Sequence, residues 1–201
     1  MISSRSYGIT TFAFVYLGFL YLPILFLPLF SFNSGVIVAF PIESFSTRWY
    51  SQLMTIDAMH DALWNSLRVA VATSILATIL GTFGARAFTR YRFPGRTPLT
   101  SFVMVPLVLP EIIVAISLLI VLVKSGIGLS LVSVTLGHVL LCMPFAMAVL
   151  ISSFEGLDQS LEEASFDLGE SAVMTFWRVI LPIVTPGIIA SLLITFTISL
   201  D

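Results

Sequence analysis

Five stretches of this chain, 8–30, 62–85, 99–123, 131–154 and 179–201, run for more than twenty residues with at most one charge each. An α-helix needs about 20 apolar residues to cross the hydrocarbon core of a bilayer. The predicted fold class is therefore an all-α polytopic membrane protein, a helical bundle with five spans in a single domain, 1–201. Of the 201 residues, 58% are hydrophobic and 10% charged, against about 45–50% and about 25% in soluble domains. A net charge of -2 provides no basic field for nucleic acid. The one cysteine, Cys142, excludes an internal disulfide or a zinc cluster of cysteines.

Pro23, Pro28, Pro106, Pro110 and Pro144 fall inside these spans. In a bundle, neighbouring helices can satisfy the carbonyls that such prolines free, so the spans are expected to survive them. The first apolar run is much longer than the roughly 7–15 residues of a signal peptide, and no cleavage site follows it. It reads as an uncleaved helix. The loop after the second span holds Arg86, Arg90, Arg92 and Arg96 without an acid, and Arg5 and Arg178 fall on the same side. The other side has only Arg48 and Lys124, while Arg68, just inside a span, can snorkel outward. Cytoplasmic loops carry the excess of basic residues, so the amino terminus and the arginine loop are expected in the cytoplasm. The loop 31–61, with Glu43, Asp57 and Asp61, is expected outside. The chain ends on Asp201 directly behind an apolar run, which suggests a C-terminal truncation with a last helix missing.

The connection 153–178 holds six of the eleven acids. Ser160 and Glu163 have the spacing of a capping box, which predicts a helix start, and acids in the first turn suit the positive end of the helix dipole. Leu157, Leu161, Ala164 and Leu168 recur at helical spacing. Gly169 sits where a left-handed cap would end that helix, and Ser171 can start a second short one, to be stopped at Pro182. The pattern predicts two short helices over about 157–178. Short links are the norm between spans, and this one is long and capped. An apolar stripe with small residues suits docking into a groove of a partner. Helices that lie in the lipid interface are rich in Lys and Arg, whereas this one is acidic, so docking is the better reading.

Glu163-Ala164-Ser165, then Gly169, Val179 and Leu181-Pro182, resemble the EAA signature of ABC importer permeases, with Ser165 in place of the second Ala and Val179 in place of Ile. Phe45-Ser46-Thr47-Arg48-Trp49-Tyr50, Tyr91-Arg92-Phe93-Pro94-Gly95-Arg96, Ala115-Ile116-Ser117-Leu118-Leu119 and Ser199-Leu200-Asp201 are similar to the C-type permease branch of spermidine/putrescine importers. The resemblance covers nearly the whole chain. It implies a type I importer permease fold with six spans in a bacterial-type inner (plasma) membrane. The implied partners are a homologous second permease subunit, ATP-binding subunits and an extracytoplasmic substrate-binding protein. Glu163, Ala164, Ser165, Gly169, Leu181 and Pro182 become the implied ATPase-coupling site.

The residues themselves exclude an autonomous engine. There is no phosphate-binding G-x-x-x-x-G-K-[ST] loop, because Val123 precedes the only lysine, Lys124. No nucleophile–base–acid constellation and no metal-ligand spacing occurs, so no catalytic residue, metal or cofactor is expected. His138 reads as a hydrogen-bonded packing residue rather than a proton relay, and Cys142 as a small buried apolar residue. Glu111 lies midway along the third span. An acid there costs roughly 2.5–3.5 kcal/mol to insert, so it must face protein or water. Two readings remain: a wall of the cargo path that attracts cations, which is favoured, and a protonated partner between helices. Asp201 is a second candidate for the path. Acids without deep basic residues suit a polyamine, although ferric iron or an amino-acid-like solute would also fit an importer of this class. A self-sufficient secondary transporter would need inverted repeats with paired broken helices, and none is visible. A membrane scaffold without transport would leave the EAA-like loop unexplained.

Overall fold

A computed structural model describes residues 4–42 and 44–201, with side chains from residue 7 onward. Glu43 and the side chain of Arg5, both used above for orientation, lie outside the described residues. The chain forms two compact units, one ending at Ala62 and the other running from Leu63 to Asp201.

In the first unit, α1 (Ser4–Ser31) keeps its helical path through Pro23 and Pro28. Its apolar side chains are exposed all round, as suits a helix surrounded by lipid. The segment after it is tied down by α2 (Arg48–Leu53). The Trp49 indole donates to the Asn33 carbonyl at 2.8 Å, Arg48 donates to the Ser34 carbonyl at 2.9 Å, and the Ser31 and Tyr50 hydroxyls meet at 2.6 Å.

The second unit is built from most of α3 (Asp57–Arg90), then α4 (Arg96–Met104), α5 (Glu111–Lys124), α6 (Leu131–Glu155), α7 (Gln159–Asp167), α8 (Ala172–Thr175) and α9 (Leu181–Leu200). Its frame is α6 packed along α9, with the small-residue face of α3 against them. Ala70, Ala77 and Ala85 are fully buried on that face. A β-carbon on Gly81 would stand 2.8 Å from the Ala146 Cβ and 3.1 Å from the Met147 amide nitrogen, so α3 and α6 come together as only small residues permit. Polar links tie both of these helices to α9. Thr78 and Ser191 hydroxyls meet at 3.1 Å, and His138 Nδ1 meets the Ser199 hydroxyl at 2.9 Å. His138 is thus a hydrogen-bonded packing residue, and Cys142 is buried beside it in α6. At the end of the unit where α3 reaches its arginines, Phe88, Met147, Leu150, Phe154, Ile180 and Val184 form the apolar core that backs the site described below.

The five-span reading agrees broadly with the structure, and two local expectations within it need correction. Four helices are long and apolar enough to cross a membrane, or five when one bent pair counts as a single span. That pair is the third stretch: Arg96–Leu107 and Glu111–Lys124 meet at 102° instead of forming one helix over 99–123. Pro106 cannot donate to the carbonyl one turn back, and Pro110 cannot supply the amide that the Pro106 carbonyl would need. Two successive turns lose their bonds, and the chain opens at Val108–Pro110. Pro182, expected to stop the second short helix, does not. A widened π-helical turn, Phe176–Ile180, joins α8 to α9, and helical structure runs over Ala172–Leu200. Pro182 takes one of the first two positions of α9, where a missing amide costs little.

Candidate functional site

The connection after α6 is positioned by its own caps. α7 begins at Asp158, whose carboxylate accepts the Ser160 amide at 3.0 Å. The expected Ser160–Glu163 capping box is replaced by this earlier cap, because Asp158 stands two residues ahead and an Asp is at least as good an N-cap as Ser. The backbone N–H of Ser160, and then its side chain, hold the Asp158 carboxyl below the usual carboxylate range. A depressed folded pKa means that the cap supports the helix above the unfolded value and is lost as pH falls through the folded one.

α7 ends as its sequence suggests. Gly169 has φ +87°. The Glu170 amide reaches back to the Ser165 carbonyl at 3.2 Å and the Gly169 amide to the Phe166 carbonyl at 2.9 Å, which is a Schellman cap. Ser171 then caps α8, accepting the Met174 amide at 3.3 Å. Ser165, which stands where the EAA pattern has Ala, is buried and shares a 2.9 Å hydrogen bond with the buried hydroxyl of Thr175. That bond ties α7 to α8.

The helix has two faces. Leu161, Glu163, Ala164 and Leu168 point outward, and Leu168 is 86% exposed. Glu162 points inward and is 1% exposed. Its carboxylate accepts from Arg86 at 2.7 Å through one oxygen and from Arg90 Nε at 2.5 Å through the other. The Arg86 guanidinium also stands 5.1 Å from the centre of the Phe176 ring. A cavity of about 170 Å³ borders the triad, with Thr89, Glu155 and Gln159 in its wall. Removing one partner from a buried ion pair costs about 3–5 kcal/mol, because the remaining charge stays uncompensated. The Arg178–Glu170 pair at 2.6 Å is exposed and belongs to the weak class of surface pairs.

Glu163, Ala164, Ser165 and Gly169 thus share one short helix and its cap. Leu181 and Pro182 lie where the widened turn becomes α9, Leu181 half-buried and Pro182 exposed. Glu111 and Asp201 belong to other elements. Glu111 is exposed and opens α5 directly after the break, so it is a helix start and not a mid-helix residue. Asp201 is exposed at the end of α9. Among the described residues, no group of three or more His, Cys, Asp or Glu could hold a metal ion. The Arg86–Glu162–Arg90 triad is not evident from the sequence. The one signal for it is the tandem of Glu162 and Glu163, since adjacent residues on a helix face different ways and only one of them can face a partner.

Residues 77–201 match the family described as binding-protein-dependent transport system inner membrane component. The chain is 36% identical over 159 residues to the spermidine/putrescine transport system permease protein PotC of Escherichia coli (strain K12), covering 79% of this chain and 60% of that protein. It is 37% identical over 180 residues to the putrescine transport system permease protein PotI of the same strain, covering 86% of this chain and 64% of that one. The chain therefore spans less than two thirds of the length of these relatives. Among solved structures, a bacterial ABC transporter involved in the import of the acidic polysaccharide alginate superposes with a TM-score of 0.67, covering 99% of this chain and 72% of that chain at 16% identity. At that identity the likeness concerns the fold alone.

Proposed function

Because this chain belongs to the family of binding-protein-dependent transport system inner membrane components, we propose that it is the membrane-spanning permease subunit of an ATP-driven importer. It lines the path of a polyamine such as spermidine or putrescine, while ATP is hydrolysed by a separate subunit that docks on α7. The observation that carries this reading is the division of α7. Its inner face is fixed by a buried carboxylate, and its outer face, with Leu161, Glu163, Ala164 and Leu168, is exposed. A helix held rigid from behind, with Leu161, Ala164 and Leu168 beside an acid in front, is suited to insertion in a groove. A second permease subunit and an extracytoplasmic binding protein complete the assembly. Reconstitution tests the whole reading: the chain with its companion subunits in vesicles should accumulate labelled polyamine only when ATP is supplied to the α7 side.

The arginines at the end of α3 and in the loop after it support an orientation with that loop and α7 in the cytoplasm and the segment 32–60 outside. A cysteine placed at Ser171, which is exposed, should resist an impermeant thiol reagent in intact cells and react after permeabilisation. Reaction in intact cells would reverse the orientation.

The polyamine assignment draws support from the relatives' names and from the chemistry of the path. Glu111, at a helix start after the proline break, and Asp201 are exposed carboxylates at the ends of apolar helices. If Glu111 lowers the energy of a cation in transit, Glu111→Gln should reduce uptake more steeply for a trivalent than for a divalent amine, since the lost attraction scales with cargo charge. Equal uptake of both amines by variant and wild type would make Glu111 a neutral hydrogen-bonding partner.

A further inference from the structure

We propose that Glu162 is a positioning residue that pins α7 to α3, so that a displacement of α7 is passed to α3 and to the base of α9 without the helix turning in place. This rests on the reading of α7 as the docking element. Arg86 and Arg90 are four residues apart on one helix and so project from the same face of α3. Each takes a different oxygen of the one carboxylate, Arg86 at 2.7 Å and Arg90 at 2.5 Å. A single bond would let α7 swivel about it, whereas two bonds to the two ends of a planar group fix its rotation as well as its distance. The inner arm is the firmer one, because the Arg86 side chain is 13% exposed against 34% for Arg90.

Arg86 adds a third connection. Its guanidinium also lies over Phe176, the first residue of the widened turn that leads into α9. One cation thereby touches the docking helix and the root of another span. Lysine could not do both, since it lacks the planar fork that pairs with a carboxylate and stacks on a ring. The neighbouring acid has the opposite assignment. Glu163 is exposed and has no ion-pair partner among the described residues. Two adjacent carboxylates thus divide the work, one anchoring α7 within the chain and one facing outward.

The test uses the assembled complex in lipid discs and vesicles, with Glu162→Gln, Arg90→Gln and the double variant. Two quantities are read: hydrogen exchange of the amides in 159–168, and labelled polyamine imported per ATP hydrolysed. Glu162→Gln keeps a hydrogen-bonding group of the same size and loses the charge. We expect exchange across α7 to quicken at least tenfold while the middle of α6 is unchanged. Polyamine moved per ATP should fall at least tenfold although the ATPase subunit still co-purifies. Arg90→Gln removes the more exposed arm and should give a change of a few-fold in both quantities, which keeps the test decisive if Glu162→Gln fails to insert. The double variant should be no worse than Glu162→Gln, because Arg90 acts through that carboxylate. Wild-type exchange in α7, or a wild-type ratio of cargo to ATP, overturns the proposal. Absence of an ATPase subunit from the wild-type complex would instead refute the docking reading, and the exchange measurement would still decide on the clamp.

Discussion

Replacement of Gly169 by Val is expected to lower uptake at least tenfold and to release the ATPase subunit, while the chain remains inserted. Gly169 has φ +87°, and a β-carbon added there would meet no atom within 4 Å, so the cost is one of backbone conformation and not of collision. An L-residue there pays about 1–2 kcal/mol, and a β-branched one is the least tolerant of positive φ. Relief of that strain means giving up the two cap bonds to Ser165 and Phe166, and with them the path of the chain from Leu168 to Ser171. Leu168 lies on the exposed face beside the cap, so the docking surface is disturbed where it is most prominent. Asn accepts the left-handed region, and Gly169→Asn should therefore retain most of the uptake. Two variants of similar exposure and opposite outcome separate backbone conformation from simple bulk, with uptake and co-purification measured on the same preparations. Full uptake by Gly169→Val would mean that the cap has no part in docking.

The second large effect is expected deep in the bundle. Gly81→Val should lower the stability of the second unit by about 3 kcal/mol, the upper end of the cost of over-packing. The added carbon meets the Ala146 Cβ at 2.8 Å and the Met147 amide nitrogen at 3.1 Å. A backbone atom cannot rotate away, so α3 and α6 must part, and the Thr78–Ser191 bond is drawn out with them. Gly81→Ala should cost less, because it brings the β-carbon without the two γ-methyls, although that carbon alone already requires α3 and α6 to shift. Thermal unfolding of the purified chain in detergent checks the order wild type, Ala, Val. A melting temperature for Gly81→Val equal to the wild type's would show that the seam between α3 and α6 is loose.

The parts of this structure that are legible in the sequence are those set by local chemistry. Long uncharged runs become long helices, Ser171 caps a helix, and Gly169 takes the left-handed conformation because a glycine at that spacing meets the requirement of a Schellman cap. The parts that differ from expectation depend on competition or distance. Pro23 and Pro28 in the exposed α1, and Pro144 in α6, remain inside helices. The helix breaks at Pro106 and Pro110, whose spacing of four places the second missing amide opposite the carbonyl of the first. Pro182 departs in the other direction, where a widened turn absorbs the mismatch and the helix continues. Ser160 loses the cap to Asp158 because both residues can cap and the earlier one leaves no free end to claim.

Glu162 is hidden for a different reason. Its partners, Arg86 and Arg90, lie more than seventy residues away in the chain, and no periodicity reports a contact of that span. The arginines already have a sufficient explanation in the charge asymmetry of membrane loops. That reading does not depend on any contact, and only the fold reveals the pairing with Glu162.

The central claim, that α7 is the surface through which a separate ATPase drives this permease, is tested most directly by proximity. Leu168 is 86% exposed, so a cysteine there carrying a short photoactivatable cross-linker reaches whatever covers the helix. In the assembled complex, irradiation should give one adduct of this chain with the ATPase subunit, and the adduct should disappear when Gly169→Val is added. An intact, transporting complex that gives no adduct from Leu168 would contradict the claim.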